Sequence, residues 1–140
     1  RQNIRQVKGM TFIVDCYNAA PDSVKAALST LGQTPCPQGA KRVAVLSDML
    51  ELGKHARILH KMTGEYVGAS AADALYCFGS DAKYYIDGAL KKGMSEDSCH
   101  FYEDKQEMIA ALKKELKEGD VVLFKGSRGM KLEEAVDALE

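Results

Sequence analysis

The alternation of short apolar runs with longer segments of helical periodicity constrains the fold of this chain more than any other feature. The apolar runs predict strands at 10–14, 42–46, 75–78, 99–102 and 121–124, and residues 4–8, joined to the first of these across Gly9, are predicted to be its hairpin partner. Between them, apolar residues spaced three and four apart predict helices at 22–31, 58–71, 104–117 and 132–139, and residues 79–81 cap a further helix that runs to 92. Strands that alternate with helices imply right-handed βαβ units and a mainly parallel sheet.

The first two strands are an exception, because the connection at Gly9 is too short for a crossover and predicts an antiparallel hairpin. The remaining runs do not alternate strictly between apolar and polar residues, as is expected when helices cover both faces of a sheet. We therefore predict an α/β, Rossmann-like three-layer domain with a mainly parallel sheet and an antiparallel N-terminal hairpin strand. Its 140 residues fit a single domain, 1–140.

The helical periodicity also predicts which side chains face the core. The predicted inward residues are Val24, Ala27, Leu28 and Leu31 in the first helix, which Gly32 is expected to end, Leu59, Met62 and Tyr66 in the second, and Ile109, Leu112 and Leu116 in the helix at 104–117.

Composition and charge exclude several classes of protein. A net charge of −1 does not indicate the excess of basic residues that is typical of nucleic-acid-binding proteins. No apolar run approaches the roughly 20 residues that cross a bilayer. The widely spaced cysteines predict small buried residues in a reducing compartment, and hence a cytoplasmic protein. His55, His60 and His100 share no metal-binding spacing, so we expect all three to face solvent and no metal to bind.

Charged side chains follow three of the predicted strands, at the sheet edge where open α/β domains bind ligands. Asp15 and Asp48 follow two of them, and Lys125-Gly126-Ser127-Arg128-Gly129 follows the last. An acid there can accept hydrogen bonds from ribose, hold Mg²⁺ or orient an amine, and it can equally cap a turn or a helix. The basic segment can bind an anion or form a tight turn with solvated charges, and it matches neither a P-loop nor a dinucleotide fingerprint.

Three segments resemble motifs of the Mur ligases, the ATP-dependent enzymes that build the peptide stem of peptidoglycan. The segment 12–23 resembles the start of their C-terminal domain, 43–53 is similar to V-L-G-D-M-L-E-L-G, and 121–130 is similar to a V-K-G-S-R-x-M loop. The order of the three agrees with the family over nearly the whole chain. Two positions depart from the pattern, Ala20, where the family usually has Asn or Ser, and Ser47, where it usually has Gly.

The resemblance implies the third domain of a three-domain ligase, with a Rossmann-like sheet that closes over ATP. It implies that Asp15 contacts the ATP ribose, that Tyr17 and Asn18 line the interface with the nucleotide and the acceptor, and that Arg1 lies near the ATP. The N-terminal domain and the central ATPase domain with its P-loop are absent from 1–140, so ATP and Mg²⁺ would be bound mainly elsewhere. This domain would contribute no catalytic residue, and we expect the isolated chain to be inactive.

The two later motifs are most similar to the family members that add D-alanyl-D-alanine to UDP-N-acetylmuramoyl-tripeptide. The resemblance therefore implies that Ser127 and Arg128 meet the carboxylate of the incoming dipeptide, with Lys125 and Asp48 in the same pocket. The tripeptide would be reached through the missing domains. Two alternatives stay open at this point, the same domain of a sister Mur ligase and a non-catalytic Rossmann-like module that binds a nucleotide or a partner.

Overall fold

Strands and helices alternate along residues 2–140, the part of the chain that the structure, a computed structural model, describes. The strands are β1 (Asn3–Val7), β2 (Met10–Asp15), β3 (Arg42–Ser47), β4 (Ala74–Phe78), β5 (Cys99–Tyr102) and β6 (Val121–Lys125). The helices are α1 (Pro21–Gln33), α2 (Ala56–Ala69), α3 (Lys83–Lys91), α4 (Lys105–Glu115) and α5 (Glu133–Leu139). The predicted contact of Arg1 with ATP lies outside the described residues.

The strands form one sheet in the order β1-β2-β6-β3-β4-β5. β1 and β2 are antiparallel, and every other neighbouring pair in this sheet is parallel, which confirms the predicted architecture. β6 comes last in the sequence yet lies between β2 and β3. In this register Lys125 pairs with Asp15 on one side and with Leu46 on the other, so the ends of three strands meet at one edge.

Helices cover both faces of the sheet and complete the three layers. One core lies under α1, α2 and α3 and contains strand residues such as Ile13, Leu46, Leu75 and Leu123. The other lies under α4 and α5 and contains Phe12, Val45, Phe78 and Phe124. Burying one such aliphatic or aromatic side chain contributes about 1.5–3 kcal/mol, so neither layer of helices can be removed without loss of the fold.

α1 matches its predicted face but not its predicted end. Val24, Ala27, Leu28 and Leu31 are buried as expected, whereas Gly32 lies inside the helix, which continues to Gln33. At the other end, the Ser23 hydroxyl accepts a hydrogen bond from the Ala20 N–H (3.0 Å). The helix therefore uses this serine in its first turn, and the alanine at position 20 supplies no side-chain acceptor.

The predicted inward face of α2 is wrong. The buried residues are His60, Thr63, Gly64 and Val67, whereas Leu59, Met62 and Tyr66 are only half-buried. The reason is the close approach of α3, because a Cβ atom at Gly64 would overlap the Tyr85 carbonyl group and one at Gly88 would overlap that of Lys61. An interface built on small residues carries no apolar periodicity that the sequence can display.

The remaining differences are smaller. In α4, Ile109 and Leu112 are buried as predicted, but the helix ends at Glu115, so Leu116 lies beyond it and is half-buried. Cys16 and Cys77 are buried free thiols, as predicted, while Cys36 and Cys99 are partly exposed. Burial raises the pKa of the Cys16 thiol to about 12, which keeps it protonated and unreactive. No helix in the described part of the chain is long and apolar enough to cross a membrane.

Candidate functional site

An open cleft of about 370 Å³ lies at the carboxyl edge of the sheet, where the loops after β2, β3 and β6 converge. Its lining consists of Tyr17, Asn18, Leu50, Glu51, Ser127, Arg128 and Gly129. Four residues that the sequence singled out from two distant segments therefore face one cavity, namely Tyr17, Asn18, Ser127 and Arg128. Parallel strands bring their carboxyl ends together, which is why loops so far apart in sequence share this cleft.

Asp15 and Lys125 form an ion pair beneath the loop after β2. The Lys125 Nζ lies 3.0 Å from Asp15 Oδ2, and the side chains are 3% and 15% exposed. The same ammonium donates a hydrogen bond to the Asn18 carbonyl oxygen (2.7 Å). Lys125 thus connects β6 to both β2 and its following loop, while the partly exposed Asp15 carboxylate lies next to residues of the cleft.

Arg128 and Tyr17 face each other across the cleft. The Arg128 guanidinium carbon lies 5.0 Å from the centre of the Tyr17 ring, and its Nη1 lies 3.5 Å from the Tyr17 hydroxyl oxygen. Both side chains are exposed, Tyr17 by 58%. Among residues 2–140, Arg128 makes no ion pair with a carboxylate. A cation–π contact at an exposed site is weak, about 0.5–1 kcal/mol, so the guanidinium can exchange this contact for an anionic ligand.

Ser127 joins the loop after β6 to the loop after β3. Its hydroxyl oxygen accepts a hydrogen bond from the Leu50 N–H (2.8 Å), and its own N–H points to the Asp48 carbonyl oxygen (3.3 Å). The hydroxyl is largely buried and retains its O–H as a donor. Ser127 can therefore hold the cleft in shape and still donate one hydrogen bond to a ligand.

Asp48 is buried and binds the loop after β4. Its Oδ2 accepts a hydrogen bond from the Ser80 N–H (2.9 Å) and its Oδ1 accepts one from the Asp81 N–H (3.0 Å). Burial raises the pKa of this carboxyl, and the two amides oppose the shift. A side chain at Gly79, whose φ is +131°, would overlap the carboxylate. The Asp48 carboxylate thus already accepts hydrogen bonds from the backbone amides just before α3. Its contact with a dipeptide stays a prediction.

A second, wider cavity of about 550 Å³ adjoins Asp48 on the side away from β2. It lies between the loops after β3, β4, β5 and β6 and is lined by Asp48, Leu50, Phe78, Gly79, Ser80, Lys83, Phe101, Glu103 and Met130. Leu50 borders both cavities, so the loop after β3 separates them. The structure therefore places Asp48 beside this second cavity and not in the cleft that holds Arg128.

His60 is the residue of this region that sequence reasoning missed. It was predicted to face solvent, which is wrong, because α2 directs it into the core beneath the loop after β3. Its Nε2 accepts a hydrogen bond from the Met49 N–H (2.9 Å), and its Nδ1 lies 2.7 Å from the Ala56 carbonyl oxygen. His55 is exposed as predicted, whereas His100 is partly buried and stacks on Tyr76. Within residues 2–140, no group of three or more His, Cys, Asp or Glu side chains is placed to hold a metal ion.

The sheet order and the two helical layers define a Rossmann-like domain, with a polar cleft at the carboxyl edge of its sheet. The family model described as Mur ligase, glutamate ligase domain, matches residues 1–128. The chain belongs to this family, as the three sequence motifs implied.

Similar proteins agree with this assignment. The chain is 38% identical over 137 residues to the UDP-N-acetylmuramoyl-tripeptide–D-alanyl-D-alanine ligase of Bacillus subtilis, covering 97% of the chain and 29% of that protein. It is 32% identical over 137 residues to the enzyme of the same name from Rickettsia prowazekii, covering 98% of the chain and 29% of that protein. The MurF ligase from Thermotoga maritima, solved in complex with ADP, has a TM-score of 0.78 at 27% identity, covering 98% of the chain and 29% of that structure. The chain thus spans about 29% of the length of these relatives.

Proposed function

We propose that the chain is the C-terminal domain of an ATP-dependent ligase that joins D-alanyl-D-alanine to UDP-N-acetylmuramoyl-tripeptide in peptidoglycan synthesis. The names of the curated relatives support this reaction over that of a sister Mur ligase. In this proposal, an N-terminal domain and a central ATPase domain with a P-loop belong to the same whole protein. Because the reaction consumes ATP, we also expect the whole ligase to act in the cytoplasm.

The observation that carries the proposal is the exposed Arg128 guanidinium at the mouth of the cleft, 5.0 Å from the Tyr17 ring and without a carboxylate partner among residues 2–140. D-Alanyl-D-alanine has an amine that must attack and a carboxylate at its far end. Arg128 can hold that carboxylate with two parallel hydrogen bonds, and the Ser127 O–H can donate a third. A cleft of about 370 Å³ lies within the usual size range of small-ligand sites.

Positioning is the contribution that we assign to this domain. The dipeptide amine must be aimed at the activated carboxyl group of the tripeptide, and a held carboxylate fixes the direction of the amine. Orientation of reactants can supply about 7–11 kcal/mol of a reaction barrier, so a domain without catalytic residues can still control the rate. Lys125 would act from below the cleft, since its ammonium holds the Asn18 carbonyl group in place.

The nucleotide would contact the neighbouring loop after β2. ATP supplies the phosphoryl group that activates the tripeptide. The partly exposed Asp15 carboxylate can accept hydrogen bonds from ribose, and the exposed Tyr17 and Asn18 lie beside it, with Arg1 as the further residue that the family resemblance implies. Since the described residues offer no cluster of metal ligands, we assign Mg²⁺ and the triphosphate to the central domain.

The nucleotide contact can be tested with Asp15→Asn, which keeps the size of the side chain and removes its charge. One lost hydrogen bond to a charged group is worth about 1.5–3 kcal/mol, so kcat/KM for ATP in the whole ligase should fall about ten- to a hundredfold. Unchanged ATP kinetics in a folded variant would remove Asp15 from the nucleotide site.

The dipeptide contact can be tested with Arg128→Ala and Arg128→Lys in the whole ligase. We expect Arg128→Ala to raise the KM for D-alanyl-D-alanine well above any change in the KM for ATP. Lysine retains the charge but lacks the planar fork, so Arg128→Lys should rescue only in part. Arg57→Ala is a matched control, because Arg57 is also an exposed arginine over a tyrosine ring, 5.2 Å from the centre of Tyr84, and does not line the cleft.

A dipeptide amidated at its C-terminus separates carboxylate recognition from a general effect on the loop. The wild-type ligase should use the amidated dipeptide poorly, and Arg128→Ala should change its kinetics little. If the substitution penalises the free and the amidated dipeptide equally, Arg128 does not bind the carboxylate.

A further inference from the structure

The loop after β3, residues 48–50, connects the loops that surround it. The Asp48 carboxylate accepts hydrogen bonds from the Ser80 and Asp81 amides in the loop after β4. On the other side, the Leu50 N–H donates to the Ser127 hydroxyl, and the Ser127 N–H points back to the Asp48 carbonyl group. A displacement of residues 48–50 would therefore move the loop that holds Arg128.

A second backbone amide of this loop, that of Met49, is held by His60. The Met49 N–H donates to His60 Nε2 (2.9 Å), and His60 is fully buried. Two contacts fix the ring itself. Its Nδ1 lies 2.7 Å from the Ala56 carbonyl oxygen, and its centre lies 4.9 Å from that of the Tyr85 ring, whose hydroxyl donates to the Ser47 carbonyl oxygen.

The partners of the ring determine its chemical form. A carbonyl oxygen can only accept, so the Nδ1 that faces Ala56 carries the hydrogen atom and donates it. An amide N–H can only donate, so Nε2 keeps its lone pair toward Met49. The acceptor nitrogen of His60, Nε2, is therefore directed at the loop.

An apolar side chain would fill the same volume against α3 but would leave the buried Met49 N–H without an acceptor, which is costly in a protein interior. The neighbouring buried polar residue on α2, Thr63, donates its hydroxyl hydrogen to the Leu59 carbonyl group of its own helix. His60 is thus the side chain of α2 that carries an acceptor to the Met49 amide.

We propose that His60 is a positioning residue for the cleft, which fixes residues 48–50 and through them sets Ser127 and Arg128 for the incoming ligand. The identity of that ligand as D-alanyl-D-alanine rests on the proposed function. His60 lines neither cavity and acts through the Met49 amide.

The kinetic test compares His60→Leu with His60→Gln in the whole ligase. Leucine removes the acceptor. Because the lost hydrogen bond supports the dipeptide subsite and not the ATP subsite, we expect the KM for the dipeptide to rise about tenfold or more and the KM for ATP to stay within about twofold. The Oε1 of glutamine can accept from Met49, so His60→Gln should restore the dipeptide KM to within about threefold of the wild type. Val67→Ala is the matched control, because Val67 is buried on the same helix, about two turns beyond His60, and the truncation lowers stability without removing an acceptor.

A second readout does not depend on activity. In the 140-residue chain, the amides of Met49, Leu50 and Ser127 should exchange with solvent faster in His60→Leu than in the wild type or Val67→Ala, while the amide of Tyr76 in β4 should not. Unchanged exchange of the Leu50 and Ser127 amides in His60→Leu would overturn the inference. Faster exchange of these amides together with an unchanged KM for the dipeptide would overturn it as well. A wild-type ligase that does not use the dipeptide would overturn the proposed function, and amide exchange would then still test the positioning of the loop.

Discussion

The ammonium of Lys125 lies 3.0 Å from the carboxylate of Asp15, and the two residues face each other across the paired strands β2 and β6. The lysine is almost fully buried and has the Asn18 carbonyl oxygen as a further acceptor. Removing one member of a buried ion pair leaves a charge without compensation, which is much more costly than replacing both members. The pair therefore links the stability of the domain to the loop that we assign to the nucleotide.

Asp15→Ala should lower the free energy of unfolding by about 3–5 kcal/mol, because among residues 2–140 the buried Lys125 ammonium would keep only the neutral Asn18 carbonyl oxygen as an acceptor. Urea unfolding of the chain measures the loss. The double variant Asp15→Ala/Lys125→Met should recover most of it, since no buried charge remains. A loss of less than about 1 kcal/mol for Asp15→Ala would show that the pair behaves like an exposed one.

Gly126 and Ser47 should be strongly coupled. A Cβ atom at Gly126 would overlap the Ser47 Oγ, a buried atom without a hydrogen-bond partner among the described residues. Gly126→Ala should therefore cost about 1–3 kcal/mol of stability. Ser47→Gly removes the overlapping oxygen together with the Ser47 Cβ, which lies 3.0 Å from the new methyl position, so the double variant should be less destabilised than the sum of the single ones.

Ser47→Ala serves as the matched intermediate, since it removes the oxygen and keeps the Cβ atom. We expect it to rescue Gly126→Ala only in part. Additive free energies of unfolding for Ser47→Gly and Gly126→Ala, measured with urea, would contradict direct contact between these positions.

Asp48 should make folding depend on pH in an unusual direction. Burial raises its pKa in the folded chain above the unfolded value of 3.8, so the folded state binds a proton more readily than the unfolded state. The stability that protonated Asp48 provides is present below pH 3.8 and is lost as the pH rises through the higher folded pKa. Acidification from neutral pH toward this window should thus stabilise the wild type relative to Asp48→Asn.

Urea unfolding of the wild type and of Asp48→Asn across that pH window measures the difference in their free energies of unfolding. The other titrating groups are the same in both proteins, so their contributions cancel in this comparison. A wild type that instead loses stability relative to Asp48→Asn on acidification would show that the Ser80 and Asp81 amides outweigh the effect of burial.

The chain alone should neither release phosphate from ATP nor form an amide bond. It contains no P-loop, and its described residues hold no cluster of metal ligands. Incubation with ATP, Mg²⁺, UDP-N-acetylmuramoyl-tripeptide and D-alanyl-D-alanine should match a blank without protein in a phosphate-release assay. Turnover by a preparation free of contaminating ATPases would contradict the assignment of the triphosphate to another domain.

Much of the fold could be predicted from the sequence because most of the strands are short apolar runs followed by a turn signal. Gly9 predicted the hairpin, and the charged residues at the ends of β2 and β6 were predicted to lie at the ligand-binding edge of the sheet. The structure adds that Tyr17, Asn18, Ser127 and Arg128 line one cleft there. These signals are local, and the carboxyl edge of a parallel sheet collects them without further information.

The features that could not be predicted depend on the order of the strands and on contacts between helices. The Asp15–Lys125 pair requires β6 to lie beside β2, which nothing in either segment specifies. The buried face of α2 follows from glycine contacts with α3, so the large apolar residues of α2 gave the wrong face and His60 was assigned to solvent. A signal was present, since His60, Thr63, Gly64 and Val67 follow the helical spacing, but two of the four are polar and one is glycine.

The position of β6 in the middle of the sheet has a consequence for how this chain is made. In a nascent chain that ends before residue 121, β2 and β3 have no common neighbour, and strand pairing is limited to β1 with β2 and to β3, β4 and β5. Contacts between residues so distant in sequence form slowly, because a long loop must close before they contribute. The strand that closes the sheet also brings Lys125 to Asp15 and Ser127 to Leu50, so the cleft that we assign to the dipeptide cannot form before the domain has folded.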